Sequence, residues 1–472
     1  MVYGSGHPRL DIEFYLEQDM NKKKVRIKIF QIIQQGETPE WNGGGTKKNH
    51  GFGINHGSSD LFEFTLDLEL VFSAGGMEKK HVTEAVYISE RKTEHWFEIP
   101  NSARIEWISI DPQFKLLKEI KSIKIINETN EFEIKEILKN QLRKGKTIIE
   151  RIDAARALKK HYYEVLNELR AAVMNDPFYG VSVEATDTLG SHNEKNNYSR
   201  SDRAYNTLVA CMSDDYEFSK LHPEIKQAIV RNIGHFRRKD SVDLLSPLLN
   251  KQNESYFVRA NAATAIGKSM NDGESSVDNS GKQNMIHQLK QIVDTTDSFR
   301  NVVACGAIDG LKEFFTDNNN YIVDDIANFL TQNTSCEKDY FKRLVATSAL
   351  SKFLTSGKKS SDGKNTELRE IHRKVFHHLL VLLRDKRRKV RINACKALTD
   401  SDAKLPMPDP SLLEAIDALI NVAKHDLDAY VRREAERCVN KLREWINEWS
   451  SKPFNLDIML REENTRSSCS NK

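Results

Sequence analysis

A short pattern that returns eight times after residue 130 constrains this chain more than any other feature. A small or branched apolar residue comes first, often followed by Arg. Ala or a close substitute stands four positions after the first, and Ala-Leu or similar three further on. The clearest copies are Val390-Arg391…Ala394…Ala397-Leu398 and Val431-Arg432…Ala435…Cys438-Val439. Val181…Ala185…Thr188-Leu189, Ile225…Ile229…Asn232-Ile233, Val258-Arg259…Ala262…Ala265-Ile266 and Val303…Ala307…Gly310-Leu311 follow it. Two copies open on a polar residue, Glu150 and Lys342, but keep Arg151 with Ala154 and Ala157, and Arg343 with Ala346 and Ala349. Spacings of three and four place these positions on one face of a helix. The copies begin 31 to 48 residues apart, enough for two helices each. A unit of that size cannot bury its apolar stripe alone, so the units stack, which predicts an α-α superhelix of about eight helical pairs over residues 130–450.

Each position has a physical role. The small residues let neighbouring helices approach closely, and the following Leu or Ile fills the space between units. An Asp or Asn five residues ahead of the first position (Asp176, Asn253, Asp385, Asp426) is placed to cap the free N–H groups of the second helix. The arginines, Arg151, Arg259, Arg343, Arg391 and Arg432, are placed to reach back to such acids in an adjacent turn and form a ladder. The pattern resembles the HEAT-repeat consensus. Polar stretches at 271–282 and 356–365 read as loops, and 461–472 as a disordered tail.

Before residue 130 the period is two. Val25–Ile32, Leu61–Phe72, His81–Ile88, His95–Ile99 and Arg104–Ile110 alternate apolar with polar residues and are rich in β-branched and aromatic types. These are half-buried strands, and Ser73–Met77 reads as a hairpin turn between two of them. Residues 1–125 are therefore expected to form an antiparallel β-sandwich, interrupted by a flexible Gly-rich insertion at about 36–60. The fold class is mainly α with an N-terminal all-β domain.

With 71 Lys and Arg against 68 Asp and Glu, the net charge is +3. That balance argues against a dedicated nucleic-acid or membrane-surface protein. No apolar run is long enough to span a bilayer, and Met1–Pro8 has no signal-peptide pattern. The six scattered cysteines, with no Cys-x-x-Cys pair, read as reduced thiols of a cytoplasmic protein.

An ordered series of short motifs carries a second resemblance. Val2-Tyr3-Gly4-Ser5-Gly6-His7-Pro8-Arg9-Leu10 opens it, followed by a strand ending Phe30-Gln31. Ile108-Ser109-Ile110-Asp111-Pro112 with Leu116-Leu117-Lys118 comes next, then Arg151-Ile152-Asp153-Ala154-Ala155-Arg156-Ala157-Leu158. The series resembles the β-sandwich and HEAT-like tail that follow the catalytic domain of gluzincin zinc aminopeptidases. That family holds zinc through His-Glu-x-x-His, and here none of the 14 histidines is followed by Glu. Gly75-Gly76-Met77-Glu78-Lys79 only imitates the family's amine-recognition strand, with Lys where that strand has Asn. The resemblance implies a chain equivalent to the non-catalytic part, with a catalytic aminopeptidase chain as its natural partner.

No catalytic residue, metal ligand or cofactor is expected. His50 and His56 sit in the Gly-rich insertion without a third ligand, and His377-His378 fits a helix better than a metal site. Cys305, Cys395 and Cys438 replace small core residues. Two basic runs, Arg237-Arg238-Lys239 and Lys386-Arg387-Arg388-Lys389, flank helix ends. Together they make a possible partner-binding strip, or else ordinary solvated turns. The expected function is a non-catalytic protein-interaction scaffold. The alternatives are half of a split zinc metallo-aminopeptidase and, more weakly, a nucleic-acid scaffold.

Overall fold

In a computed structural model, the described residues are 8–18, 23–31, 61–74, 80–113, 115–116, 118–126, 131–191, 198–270, 279–316, 320–354, 366–399 and 410–449. Seven strands come first: β1 Arg9–Gln18, β2 Lys23–Gln31, β3 Phe64–Ala74, β4 Lys80–Ile88, β5 Lys92–Ile99, β6 Ala103–Ile110 and β7 Glu119–Ile126. They form a four-stranded sheet of order β5-β2-β1-β7 and a three-stranded sheet of order β4-β3-β6. One hydrophobic cluster draws on both sheets, with Leu10, Ile12 and Phe14 of β1, Ile27 of β2, Leu68 of β3, Phe97 of β5 and Ile105 of β6.

The strands are not all antiparallel. β1 pairs parallel with β7 and antiparallel with β2. β1 and β7 also lie outside the runs marked by alternation above, although Leu10, Ile12, Phe14 and Leu16 alternate inward along β1. The Gly-rich insertion, the Ser73–Met77 turn beyond Ala74, the Gly75–Lys79 segment, the opening Val2–His7 motif and the tail at 461–472 lie outside the described residues.

Seventeen helices follow among the described residues. α1 Glu131–Lys144 pairs with α2 Ile148–Ala157, and α3 Leu166–Asn175 with α4 Tyr179–Gly190. α5 Tyr198–Ala210 and the short α6 Asp215–Lys220 precede α7 Pro223–His235. Then come α8 Asp240–Asn250 with α9 Tyr256–Met270, α10 Asn279–Thr295 with α11 Val302–Leu311, and α12 Asn320–Gln332 with α13 Tyr340–Ala349. α14 Thr366–Leu382 with α15 Arg388–Leu398, and α16 Pro410–His425 with α17 Ala429–Trp449, complete the series. Each copy of the repeated pattern lies in the second helix of its pair, or, for the copy at 225–233, in α7. The stretch 271–282 is not all loop: Asn279–Lys282 form the first turn of α10.

The chain divides into two units, Met1–Asn232 and Ile233–Lys472, the division falling within α7. In the first unit the sheets and helices share a core, because Ile137 of α1 is fully buried in the strand cluster. Thr147 and Glu150 form a capping box at the start of α2, and Ser109 of β6 donates to the Glu150 carboxylate. The polar residue that opens this copy of the pattern thus joins sheet to helix. The Asp-Pro…Leu-Lys motif is likewise structural. Asp111, in the left-handed region at φ 51°, accepts from the amides of Lys115 at 2.8 Å and Leu116 at 3.1 Å and pairs with Lys118. Burial opposes its charge, but these donors hold its carboxyl below the usual range.

In the second unit the second helices pack closely. A Cβ on Gly267 of α9 would lie 2.2 Å from the carbonyl oxygen of Gly310, and one on Gly310 of α11 would lie 2.4 Å from that of Ala263.

Candidate functional site

The two halves of the expected basic strip lie at opposite ends of the second helices. Arg237, Arg238 and Lys239 follow the C-terminus of α7, where Arg237 pairs with Glu313 at 3.4 Å and Arg238 with Asp240 at 3.2 Å. Lys386, Arg387, Arg388 and Lys389 lie in the turn between α14 and α15 and at the start of α15. Sequence adjacency to a helix end does not say which end, and the two runs share no edge.

The arginines of the repeat reach forward rather than back. Arg151 makes two bonds to Asp176 of the next pair, at 2.8 and 3.2 Å. Arg391 does the same to Asp426 at 2.7 and 2.9 Å, and Arg343 reaches Asp385. Each also binds a carbonyl: Gly145 for Arg151, Thr334 for Arg343 and Asp385 for Arg391. Among the described residues, the Arg259 side chain finds only the Leu249 carbonyl, at 2.9 Å, and that of Arg432 only the Asp426 carbonyl, at 2.7 Å. The aspartates do not cap the helices proper. Asp176, Asp385 and Asp426 each accept from the amide two residues on, closing the turn ahead of the helix. Caps come from residues closer in: Asp339 accepts from the amides of Phe341 and Lys342, and Asp428 from those of Tyr430 and Val431. Asn253 is exposed.

Because Arg343 and Arg391 bind aspartates ahead of α15 and α17, the N-terminal ends of α13, α15 and α17 are neighbours. Large side chains gather there. Phe299, just ahead of α11, is 62% exposed and Tyr430, in the first turn of α17, 64%. Tyr256 and Phe257 occupy the same place on α9 and are also exposed. Four arginines join four aromatic rings from α11 to α17. The Arg300 guanidinium lies 5.0 Å from the Phe299 ring and 5.7 Å from that of Phe341. Arg387 lies 5.9 Å from Tyr340, and both Arg388 and Arg433 lie 5.6 Å from Tyr430. Arg300 and Asn301 both have left-handed backbone, at φ 51° and 54°. That is a costly conformation for residues with a Cβ, and it falls at the start of this row.

A cavity of about 400 Å³ opens in the middle of the row, lined by Tyr340, Arg387, Arg388 and Lys389. Arg388 has an acidic neighbour, Asp428, at 3.5 Å. Lys386, Arg387 and Lys389 have no carboxylate partner among the described residues. The positive end of the α15 dipole adds to the same place.

His378 is half-buried against Thr334 at 2.6 Å, and desolvation pushes its pKa down. His377 lies 3.7 Å from Glu414. Burial pushes the thiols of Cys305 and Cys211 up to about 11, and those of Cys395 and Cys438 up as well. His50 and His56 lie outside the described residues. Among the described residues there is no group of three or more His, Cys, Asp and Glu able to hold a metal, and no helix is long and apolar enough to cross a membrane.

Repeated helix pairs, parallel second helices and an Arg–Asp ladder define a helical-repeat protein. Residues 217–304 match the family described as HEAT repeats. No curated protein matches it. Among solved structures, Kap95p in its complex with RanGDP is similar at 12% identity and TM-score 0.43, over 65% of this chain and 41% of that one. Kap121p bound to Nup53p is similar at 14% and 0.34, over 66% and 33%. Human deoxyhypusine hydroxylase in complex with glycerol is similar at 13% and 0.27, over 66% and 96%. The chain thus spans less than half the length of the two Kap chains.

Proposed function

We propose that this chain is a non-catalytic scaffold that holds another polypeptide along the N-terminal ends of its second helices. The row of alternating arginines and exposed aromatics from Phe299 to Tyr430 carries this reading. Large rings left in water at matching places on α9, α11 and α17 cost free energy unless a partner covers them, and aromatic and Arg side chains dominate binding at protein interfaces. Neighbouring helix axes lie about 10 Å apart, so three steps give a track of roughly 30 Å. An extended segment of about nine residues spans it.

The resemblance at the strand–helix junction supports a catalytic aminopeptidase chain as the first partner to try. In that reading the two sheets, taken as a sandwich, brace the first helices. The test is capture of partners from native extract by the full chain and by a variant carrying Phe257→Ser, Phe299→Ser and Tyr430→Ser. Polypeptides held by the parent and lost by the variant support the scaffold, and identical sets overturn it. Zinc analysis and an aminoacyl-anilide assay on the purified chain are expected to be blank. Zinc-dependent turnover by the chain alone would establish the enzyme reading instead.

A further inference from the structure

We infer that the segment held in this row is acidic, and that two or three of its carboxylates enter the cavity lined by Tyr340, Arg387, Arg388 and Lys389. This deepens the scaffold reading and rests on it. The charge argument is local. The run at Arg237–Lys239 spends its arginines on Glu313 and Asp240. At the cavity, the side chains of Arg387 and Lys389 pair with no carboxylate of the described residues, and Arg388 has only Asp428, at 3.5 Å. Asp385 in the same turn is already paired with Arg343, so the four cations are left with Asp428 as their weak counter-charge and repel one another until an anion joins them. The Arg387 and Arg388 guanidinium groups lie over aromatic rings, which restricts them before a ligand arrives. Less freedom is then lost on binding a carboxylate with two parallel hydrogen bonds.

The neighbours of the cavity decide the kind of polyanion. A nucleic-acid strand needs cations repeated along its phosphates, with six or more contacts in typical cases. Here the cluster of cations occurs at one step, and the flanking helices carry single arginines, Arg300 and Arg433, lying over Phe299 and Tyr430. These exposed rings lie about one and a half helix spacings, roughly 15 Å, to either side of the cavity between α13 and α15. An extended chain covers that distance in about four residues. The fitting ligand is a peptide with a central acidic cluster and an apolar side chain about four residues to either side.

The test is fluorescence anisotropy on the full chain with a labelled peptide of about twelve residues. It carries Glu-Asp-Glu at the centre and Leu four residues before and after the central Asp. A second peptide carries Gln-Asn-Gln instead, and an oligothymidylate of similar length is the third probe. The acidic peptide is expected to bind at least roughly tenfold more tightly than the amide peptide. The variant Arg387→Glu with Lys389→Glu is expected to lose that preference, while Lys239→Glu, at the other helix end, keeps it. Circular dichroism melting checks that each variant remains folded, and Arg387→Gln with Lys389→Gln gives a milder second variant. Equal binding of the two peptides, an unchanged preference in the charge-reversed variant, or tighter binding of oligothymidylate would each overturn the assignment. If the extract experiment succeeds while the acidic peptide shows no preference, the cavity assignment fails and the scaffold stands.

Discussion

Arg391 ties two turns together, binding the Asp385 carbonyl of its own turn and both carboxylate oxygens of Asp426 in the next. Both side chains of the ion pair are largely buried. Arg391→Ala leaves a buried carboxylate without its partner and is expected to cost about 2–4 kcal/mol in chemical denaturation. Arg391→Lys keeps the charge but not the two-pronged geometry, so it should fall between. Arg432 binds a carbonyl only, and Arg432→Ala should cost about 1 kcal/mol. Equal losses at 391 and 432 would show that the aspartate contributes nothing. Sequence spacing identified these arginines and most of their acids, but not the direction of reach. A helical side chain leans toward its own N-terminus, and which neighbour meets it there is set by stacking.

Asp153 gives a pH test. Burial, with smaller contributions from Glu184 and Glu150 and against the pull of Arg156, raises its pKa to about 6. A carboxyl in the unfolded chain titrates near 4. The folded state therefore binds the proton more tightly, and ionised Asp153 is a penalty that is fully present above about pH 6 and fades as the pH falls toward 4. Asp153→Asn is expected to raise stability by up to about 2 kcal/mol at pH 8 and to leave it unchanged at pH 4. Denaturant titrations at the two pH values check this, and a gain of equal size at both would refute the assigned cause.

At the scale of elements, the contact between α9 and α11 depends on the absence of side chains. Gly310→Ala would drive a Cβ to 2.4 Å from the Ala263 oxygen, and should cost about 1–3 kcal/mol because backbone has to move. Gly281, in the first turn of α10, has nothing within 4 Å of the same added atom. Gly281→Ala should gain a few tenths of a kcal/mol from reduced freedom of the unfolded chain. Thermal melts of the pair separate packing from propensity. The repeated small residues made these helices legible, because a pattern held over many copies outweighs local ambiguity. β1 was harder to place, since its partner β7 is more than a hundred positions away. The aromatic row was not legible at all. Its places are filled by Tyr, Phe or Arg, and a lone Tyr or Phe at a helix start looks like any core residue. Exposure of Phe299 and Tyr430 emerges only once the turns are side by side.

At the scale of the whole molecule, the two contact units predict that damage stays local. Repeat arrays gain stability mainly from nearest neighbours, so cooperativity need not extend from one end to the other. Cysteines report on each unit separately. Cys211 belongs to the first unit and Cys395 and Cys438 to the second, and all three are buried with thiols whose pKa burial raises. They should resist a thiol reagent at pH 8 until their surroundings open, whereas exposed Cys336 reacts at once. With Cys336→Ser and Cys469→Ser as background, labelling against denaturant gives a midpoint for each unit. Adding Arg391→Ala should lower the midpoint for Cys395 and Cys438 and leave that for Cys211 unchanged. A common shift of all three would mean that the chain opens as one cooperative body, and that the division within α7 has no energetic counterpart.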